Sequence, residues 1–446
     1  MNGELYDFAI ERLGEYRYKS PMKLSHIDGD YIANFVEDSE RIVYDRSLRA
    51  WKKYISEGVE PPSFEAAGPR DAIYFDPVRT KAAIVTCGGL CPGLNDVIRG
   101  LVLSLHHHYG VPAIYGIPFG YLGLVERSKL APMPLTPDLV ENWPMQGGTA
   151  LGSSRGPQPI GEMADYMAAR GINILFAVGG DGTQRGALAL SQEIKKRGLD
   201  IAVVGVPKTI DNDIAYLEKS FGFESAYSVA AEVLQSAHAE AKGTLNGIAI
   251  VKLMGRQSGF LAAMASVASG EANFTLIPEA PFDLDPPNGF LAELEKRILR
   301  RPHAVVVVAE GAGQKFLQDQ LSTMGKDASG NVKLADIGVY LHERVEAYFK
   351  ERNIPVSVKY IDPSYIVRSL KALPSDRMFC LRLAQNAVHA AMSGRTAMIV
   401  GYWNSAFTHV PMAAAVSCRK VLDTEDDLWL SVMQTTGRMK PMINPA

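Results

Sequence analysis

The chain has 446 residues, of which 47% are hydrophobic and 21% charged, and its 46 Lys and Arg against 49 Asp and Glu give a net charge of −3. That composition excludes a disordered, fibrous or membrane-embedded protein, and the length allows two or three cores. The near balance of charge gives no general attraction for nucleic acid or an anionic membrane, so an anionic ligand has to be held by local basic groups.

Residues 1–78 mix aromatic and charged residues with the turn-rich Pro61-Pro62-Ser63 and Gly68-Pro69, without a clear strand or helix pattern, and read as an extension packed on the rest of the chain. Its start, MNGELYDFAIERLGEY, has acids where a signal peptide carries bases and an apolar stretch, the C-terminal MINPA is no peroxisomal address, and a cytoplasmic location is expected. From Lys81 the texture changes to short apolar runs that end in glycine-rich turns and lead into amphipathic helices. Candidate strands are 82–85, 174–178, 201–206, 247–253, 274–278, 304–309, 356–361 and 397–403. Apolar runs this continuous suit parallel strands covered on both faces. After Gly93, residues Leu94, Val97, Ile98, Leu101 and Leu105 follow helical spacing. Alternation over more than 300 residues predicts two doubly wound, mostly parallel α/β domains, and an N-terminal extension. The expected division is 1–78, 79–222, 223–365 and 366–446. Cys87, Cys91, Cys380 and Cys418 are too few for a disulfide framework, and His106 to His108 read as a helix end.

In doubly wound sheets ligands lie at the carboxyl ends of strands, and the polar motifs fall there. TCGGLCPGLNDVIRG (86–100) follows the first strand, with Gly88, Gly89 and Gly93 freeing backbone N–H groups for a phosphate; alone it reads equally as a tight strand–helix turn. GGDGT (179–183) places the single carboxylate of Asp181 among glycines. Facing phosphate oxygens it needs a cation between, which implies Mg²⁺. PKTIDNDI (207–214) sets Asp211 and Asp213 two residues apart beside Lys208 and Thr209; one acid can take a proton from an attacking hydroxyl while Lys208 offsets charge. Arg155 in LGSSRGP, Arg256 in KLMGRQSG, Glu310 in VVAEGAGQ, and Lys359, Tyr365 and Arg368 in KYIDPSYIVRS add groups suited to a sugar phosphate and a polyphosphate donor.

Taken together, GGLCPGLND, GGDGT, PKTIDND, MGR, the Glu of VAEG and YIVR resemble, in order and spacing, the phosphofructokinase family, from about Lys81 to the C-terminus. The chain is most similar to the branch with a long N-terminal extension found in trypanosomatids, plants and some bacteria. The resemblance implies phosphoryl transfer from ATP to the 1-hydroxyl of fructose 6-phosphate in glycolysis. It further implies an active site between the two domains, with 366–446 returning to complete the first domain and pack on the second, Mg²⁺ as cofactor, allosteric control and a homotetramer or homodimer. By position, Gly88, Arg155, Gly156, Gly180, Asp181, Gly182 and Thr183 resemble the ATP-binding residues, with Asp181 the metal ligand. Thr209, Ile210 and Asp211 resemble the sugar-binding loop, with Asp211 the proton acceptor. Met254, Gly255, Arg256, Glu310, Tyr365, Ile366, Val367 and Arg368 resemble further fructose 6-phosphate contacts, and Lys359 aligns with an arginine of the short bacterial enzymes. An arginine that those enzymes lend to a neighbouring subunit is missing from TLNGIAI (244–250).

The family divides between ATP and pyrophosphate as donors. Pyrophosphate users typically carry Asp at the position of Gly182, where a side chain would intrude on the α-phosphate and nucleoside. Lys208 is shared with the pyrophosphate enzymes, but in the long-extension branch Gly with Lys goes with ATP. The alternatives are a pyrophosphate donor, another GGDGT kinase acting on NAD or lipid, which leaves PKTIDND, MGR and YIVR unexplained, and a silent regulatory subunit, which would be expected to lack Asp181 or Asp211.

Overall fold

A computed structural model describes residues 7–326, 330 and 332–445. The chain divides into two compact units: Met1–Thr209, Ile214–Gly222 and Leu370–Arg419 form one, and Ile210–Asp213, Phe223–Ser369 and Lys420–Ala446 the other.

The first unit is built on a nine-stranded sheet. Its parallel centre runs Met398–Trp403, Ala202–Pro207, Ile174–Gly179, Lys81–Thr86 and Ala113–Ile117, with Met133–Pro134 antiparallel at one edge. Successive side chains of a strand point to opposite faces. Ala83, Val85, Leu175, Ala177 and Val203 meet the apolar sides of helices Ile160–Arg170 and Asp181–Lys196 in one core. The alternate residues Ala82, Ile84, Ile174, Phe176, Ala202 and Val204 are equally buried, so both faces are covered. The continuous apolar runs follow from that.

At the other edge the segment before residue 78 departs from its sequence-based reading. Arg41–Val43 and Ser63–Ala66 extend the sheet antiparallel through Ala406–Pro411. Strand Ser63–Ala66 hides its pattern because Glu65 points inward, where it meets Arg70, Arg395 and His409. Phe8, Tyr44, Phe64, Tyr216 and Trp403 pack together beside it, with Tyr44 and Trp403 stacked at 5.2 Å.

The second unit holds a four-stranded parallel sheet in the order Phe274–Leu276, His303–Ala309, Gly247–Leu253, Ser357–Ile361. Ile248, Ile250, Val306 and Val308 form a core with Phe290, Leu294, Leu341, Val345 and Phe349 from helices Phe290–Arg300 and Ile337–Glu351. Helices Phe223–Lys242 and Phe260–Ser269 pack on the opposite side. This is a second doubly wound unit. Among the described residues no helix is long and apolar enough to cross a membrane.

Candidate active site

In the first unit three strand ends converge. Beyond Lys81–Thr86 the chain turns at Gly88, whose φ of 86° lies in the left-handed region that glycine tolerates. Cys87 N donates to Val178 O at 3.0 Å and Gly88 N to Ser154 O at 3.0 Å, while Ser153 Oγ donates to Gly88 O at 2.7 Å. The segment with Arg155 and Gly156 is thereby laced to the glycine turn, and Arg155 itself is exposed. Beyond Ile174–Gly179, Gly180 precedes helix Asp181–Lys196 without a capping side chain, leaving the first-turn amides and the positive end of the helix dipole without a side-chain acceptor from that cap. Beyond Ala202–Pro207, Lys208 is buried; its backbone N donates to Gly179 O at 3.1 Å and its Nζ to Gly89 O at 2.7 Å. Gly88, Arg155, Gly156, Gly180, Asp181, Gly182, Thr183, Lys208 and Thr209 thus share one end of one sheet. An ammonium, a helix N-terminus and a lone carboxylate there suit a polyphosphate and a cation.

Several residues that the motif reading did not single out hold this arrangement. Asp181 Oδ2 lies 3.1 Å from Arg185 Nε and 3.7 Å from Arg419 Nη2. Gln184, fully buried, donates through Nε2 to Gly179 O at 2.9 Å, and Tyr121 OH donates to Thr183 O at 2.7 Å. Arg185 was readable as an i, i+4 partner of Asp181. Arg419, more than 200 positions away, left no local signal.

In the second unit the informative loops are also joined. Ile210–Asp213 enters it as a four-residue segment, with Asn212 buried at a φ of 52°. A left-handed asparagine is tolerated where the surroundings over-determine it. Ser258 Oγ donates to Asp211 O at 3.0 Å and Lys420 N to Asp213 O at 3.0 Å. After Gly247–Leu253 come Met254, Gly255 and Arg256; after His303–Ala309 comes Glu310. Glu310 N donates to Leu253 O at 2.8 Å and Gly311 N to Gly255 O at 3.1 Å. A Cβ at Gly311 would sit 1.9 Å from Arg256 O, so only glycine permits this approach. Arg256 Nη1 donates to Val332 O. Burial pushes the Glu310 carboxyl above its ordinary range, against the pull of Arg256, Lys252 and Arg368.

The segment 359–369 is divided in its exposure. Lys359 is exposed on the edge strand Ser357–Ile361, and Tyr365 and Ile366 are exposed beyond it. Val367 is fully buried in the short helix Ile366–Ser369, packed on Phe223–Lys242, so its side chain serves the core. Arg368 Nε donates to Ser364 O at 2.9 Å, with its guanidinium 5.3 Å from the Tyr365 ring centre.

The pattern of the family described as phosphofructokinase matches residues 81–391, well over half of the chain. The chain belongs to the phosphofructokinase family. Among phosphofructokinases it is 45% identical to the ATP-dependent 6-phosphofructokinase of Borreliella burgdorferi, over 100% of this chain and 99% of that one. It is 46% identical to the protein of the same name from Amycolatopsis methanolica, over 98% and 96%. The crystal structure of a pyrophosphate-dependent phosphofructokinase from Marinobacter aquaeolei has a TM-score of 0.67 at 20% identity, covering 80% of this chain and 91% of that one. That likeness speaks for the phosphofructokinase fold and leaves the donor open.

Proposed function

We propose that the chain transfers the γ-phosphoryl group of ATP to the 1-hydroxyl of fructose 6-phosphate, giving fructose 1,6-bisphosphate and ADP. The observation that carries this reading is the 45% identity, from end to end, with a relative named for that activity. For the donor, a Cβ built at Gly182 meets nothing within 4 Å. Packing therefore does not demand glycine there, and the open space beside Asp181 suits a nucleotide. Lys208 keeps pyrophosphate as the second reading.

Among the described residues no group of three or more His, Cys, Asp or Glu could hold a metal by itself. A Mg²⁺ that takes one carboxylate and completes its shell with phosphates and water fits the single Asp181. Bound there, it would neutralise charge on the donor phosphates. Lys208, turned toward Gly89, would face charge developing on the transferred group, with the amides around Gly88 and Gly180 to Thr183 cradling the donor and Arg155 clamping it. Thr209 and Ile210 would seat the sugar so that Asp211 takes the proton of the attacking hydroxyl. Met254, Gly255, Arg256, Glu310, Lys359, Tyr365, Ile366 and Arg368 would hold the sugar phosphate, with Val367 anchoring their turn in the core. A homotetramer or homodimer in the cytoplasm, open to allosteric control, completes the proposal.

A coupled assay with fructose 6-phosphate, offering ATP or pyrophosphate in turn with and without Mg²⁺, tests it. Activity with ATP and Mg²⁺ is expected. Activity with pyrophosphate alone would overturn the donor, and none with either would overturn the reaction. Asp211→Ser should lower turnover on the order of 10²-fold or more. Turnover near wild type would remove Asp211 from its role.

A further inference from the structure

One polar residue interrupts the otherwise apolar strand Gly247–Leu253. Lys252 is largely buried, and its Nζ lies 2.7 Å from Asp336 Oδ2 and 2.9 Å from Asp362 Oδ2. Asp336 caps helix Ile337–Glu351, its Oδ1 accepting from Gly338 N at 3.0 Å and Val339 N at 3.2 Å, and both its oxygens lie within reach of Tyr360 OH. Asp362 Oδ1 accepts from Ser364 N at 3.0 Å and from the Ser364 hydroxyl. A single ammonium therefore ties the strand that leads into Met254, Gly255 and Arg256 to the turn that leads into Tyr365 and Arg368. Asp336 and Asp362, each more than a third exposed, converge on that one cation, so its removal breaks the link between the joined segments and leaves two partly solvated carboxylates side by side.

We propose that Lys252 is a positioning residue for the acceptor sugar phosphate, acting as a clasp that sets the spacing between the Arg256 loop and the Tyr365–Arg368 turn. The proposal rests on fructose 6-phosphate being the acceptor. Lys252 touches no substrate in this role; it fixes where the groups that do so stand. The same ammonium bears on Glu310, which faces Arg256, Lys252 and Arg368 as cations and Asp362 as an anion.

Steady-state kinetics on Lys252→Met and Lys252→Arg, with hydrogen exchange over residues 359–369, test the clasp. Lys252→Met should raise KM for fructose 6-phosphate on the order of 10- to 100-fold, the effect of displacing binding groups by a fraction of a molecular diameter. KM for ATP should stay within a few-fold, exchange over 359–369 should quicken, and Lys252→Arg should recover most of the loss. The acid limb of the KM profile for the sugar should also move to higher pH, since one cation facing Glu310 is gone. A purely structural lysine would impair both substrates alike, and that outcome, or an unchanged sugar KM, overturns the proposal. Should Lys252→Met not fold, Asp362→Asn removes one arm of the clasp, and an unaltered sugar KM there is equally fatal. Wild-type protein that does not turn over fructose 6-phosphate would instead overturn the functional reading, and exchange over 359–369 in the variants would then decide the clasp alone.

Discussion

Asp181 and Gly182 are adjacent in the chain and carry different parts of the donor reading. Asp181 opens helix Asp181–Lys196 and is steadied by Arg185 and Arg419. Gly182 stands where an added side chain meets only open space, and an acid in the first turn of a helix is favoured by the dipole. Gly182→Asp should therefore keep the wild-type melting temperature while losing at least about tenfold in kcat/KM for ATP, or about 1.4 kcal/mol of transition-state binding. A variant that melts normally and uses ATP undiminished would show that the space serves something else. Glu310 supports a second expectation. Burial raises its pKa, so the carboxylate is lost on acidification at a higher pH than for an ordinary glutamate. KM for fructose 6-phosphate should climb as pH falls through that window, and Glu310→Gln should flatten the climb. A pH dependence retained in Glu310→Gln would exclude this carboxyl as its source.

Strand Ser63–Ala66 shows why part of the architecture escaped a reading of the sequence. The eight runs between 82 and 403 declare themselves, and each overlaps a strand: those buried on both faces are mostly apolar, and at the edge strand Ser357–Ile361 Val358, Tyr360 and Ile361 carry the signal although Lys359 is exposed. SFEA carries a charge in its middle. Its Glu65 is accommodated by Arg70 and by Arg395 and His409, the last two more than 300 positions away, and a local window sees only Arg70. The strand-end motifs were legible for the converse reason, since each is contiguous and polar directly after an apolar run. Lys252 and Arg419 were not, because their partners are set by the fold. Burial would raise the Glu65 pKa, but the hydrogen bond from His409 and the charge of Arg395 outweigh it and hold it at about 2. His409, which burial pushes down to about 4, is neutral near pH 7, so there the opposing charge comes from Arg395 and Arg70. A folded pKa below the ordinary 4.5 adds stability above that value, which is lost as pH falls toward 2. Arg395→Leu leaves Glu65 buried with less compensation and should cost about 3–5 kcal/mol. Thermal melts at neutral pH measure it, and an unchanged midpoint would deny the pairing its weight.

The two compact units differ in how much chain each needs. All four strands of the smaller sheet fall between 247 and 361, whereas the nine-stranded sheet draws on strands from 41 to 411. Deleting 1–78 would bare the edge of Ala406–Pro411 and leave Arg395 and His409 in the interior without Glu65. Such a truncation should aggregate on expression, as size-exclusion chromatography would report. A soluble, monodisperse product with wild-type melting would mean that the extension is dispensable to the fold.

The central position of strand Met398–Trp403 beside Ala202–Pro207 reaches beyond the finished protein. As the chain leaves the ribosome, the four-stranded sheet has all its strands soon after residue 361 emerges. The larger sheet must wait, with one flank of Ala202–Pro207 uncovered, for a neighbour synthesised about 190 residues later. Glu11 waits for Thr396, and Ala66 for Thr408. The first-made residues are thus among the last to be seated, and for most of translation they are exposed to chaperones and proteases in a way that the four-stranded sheet is not.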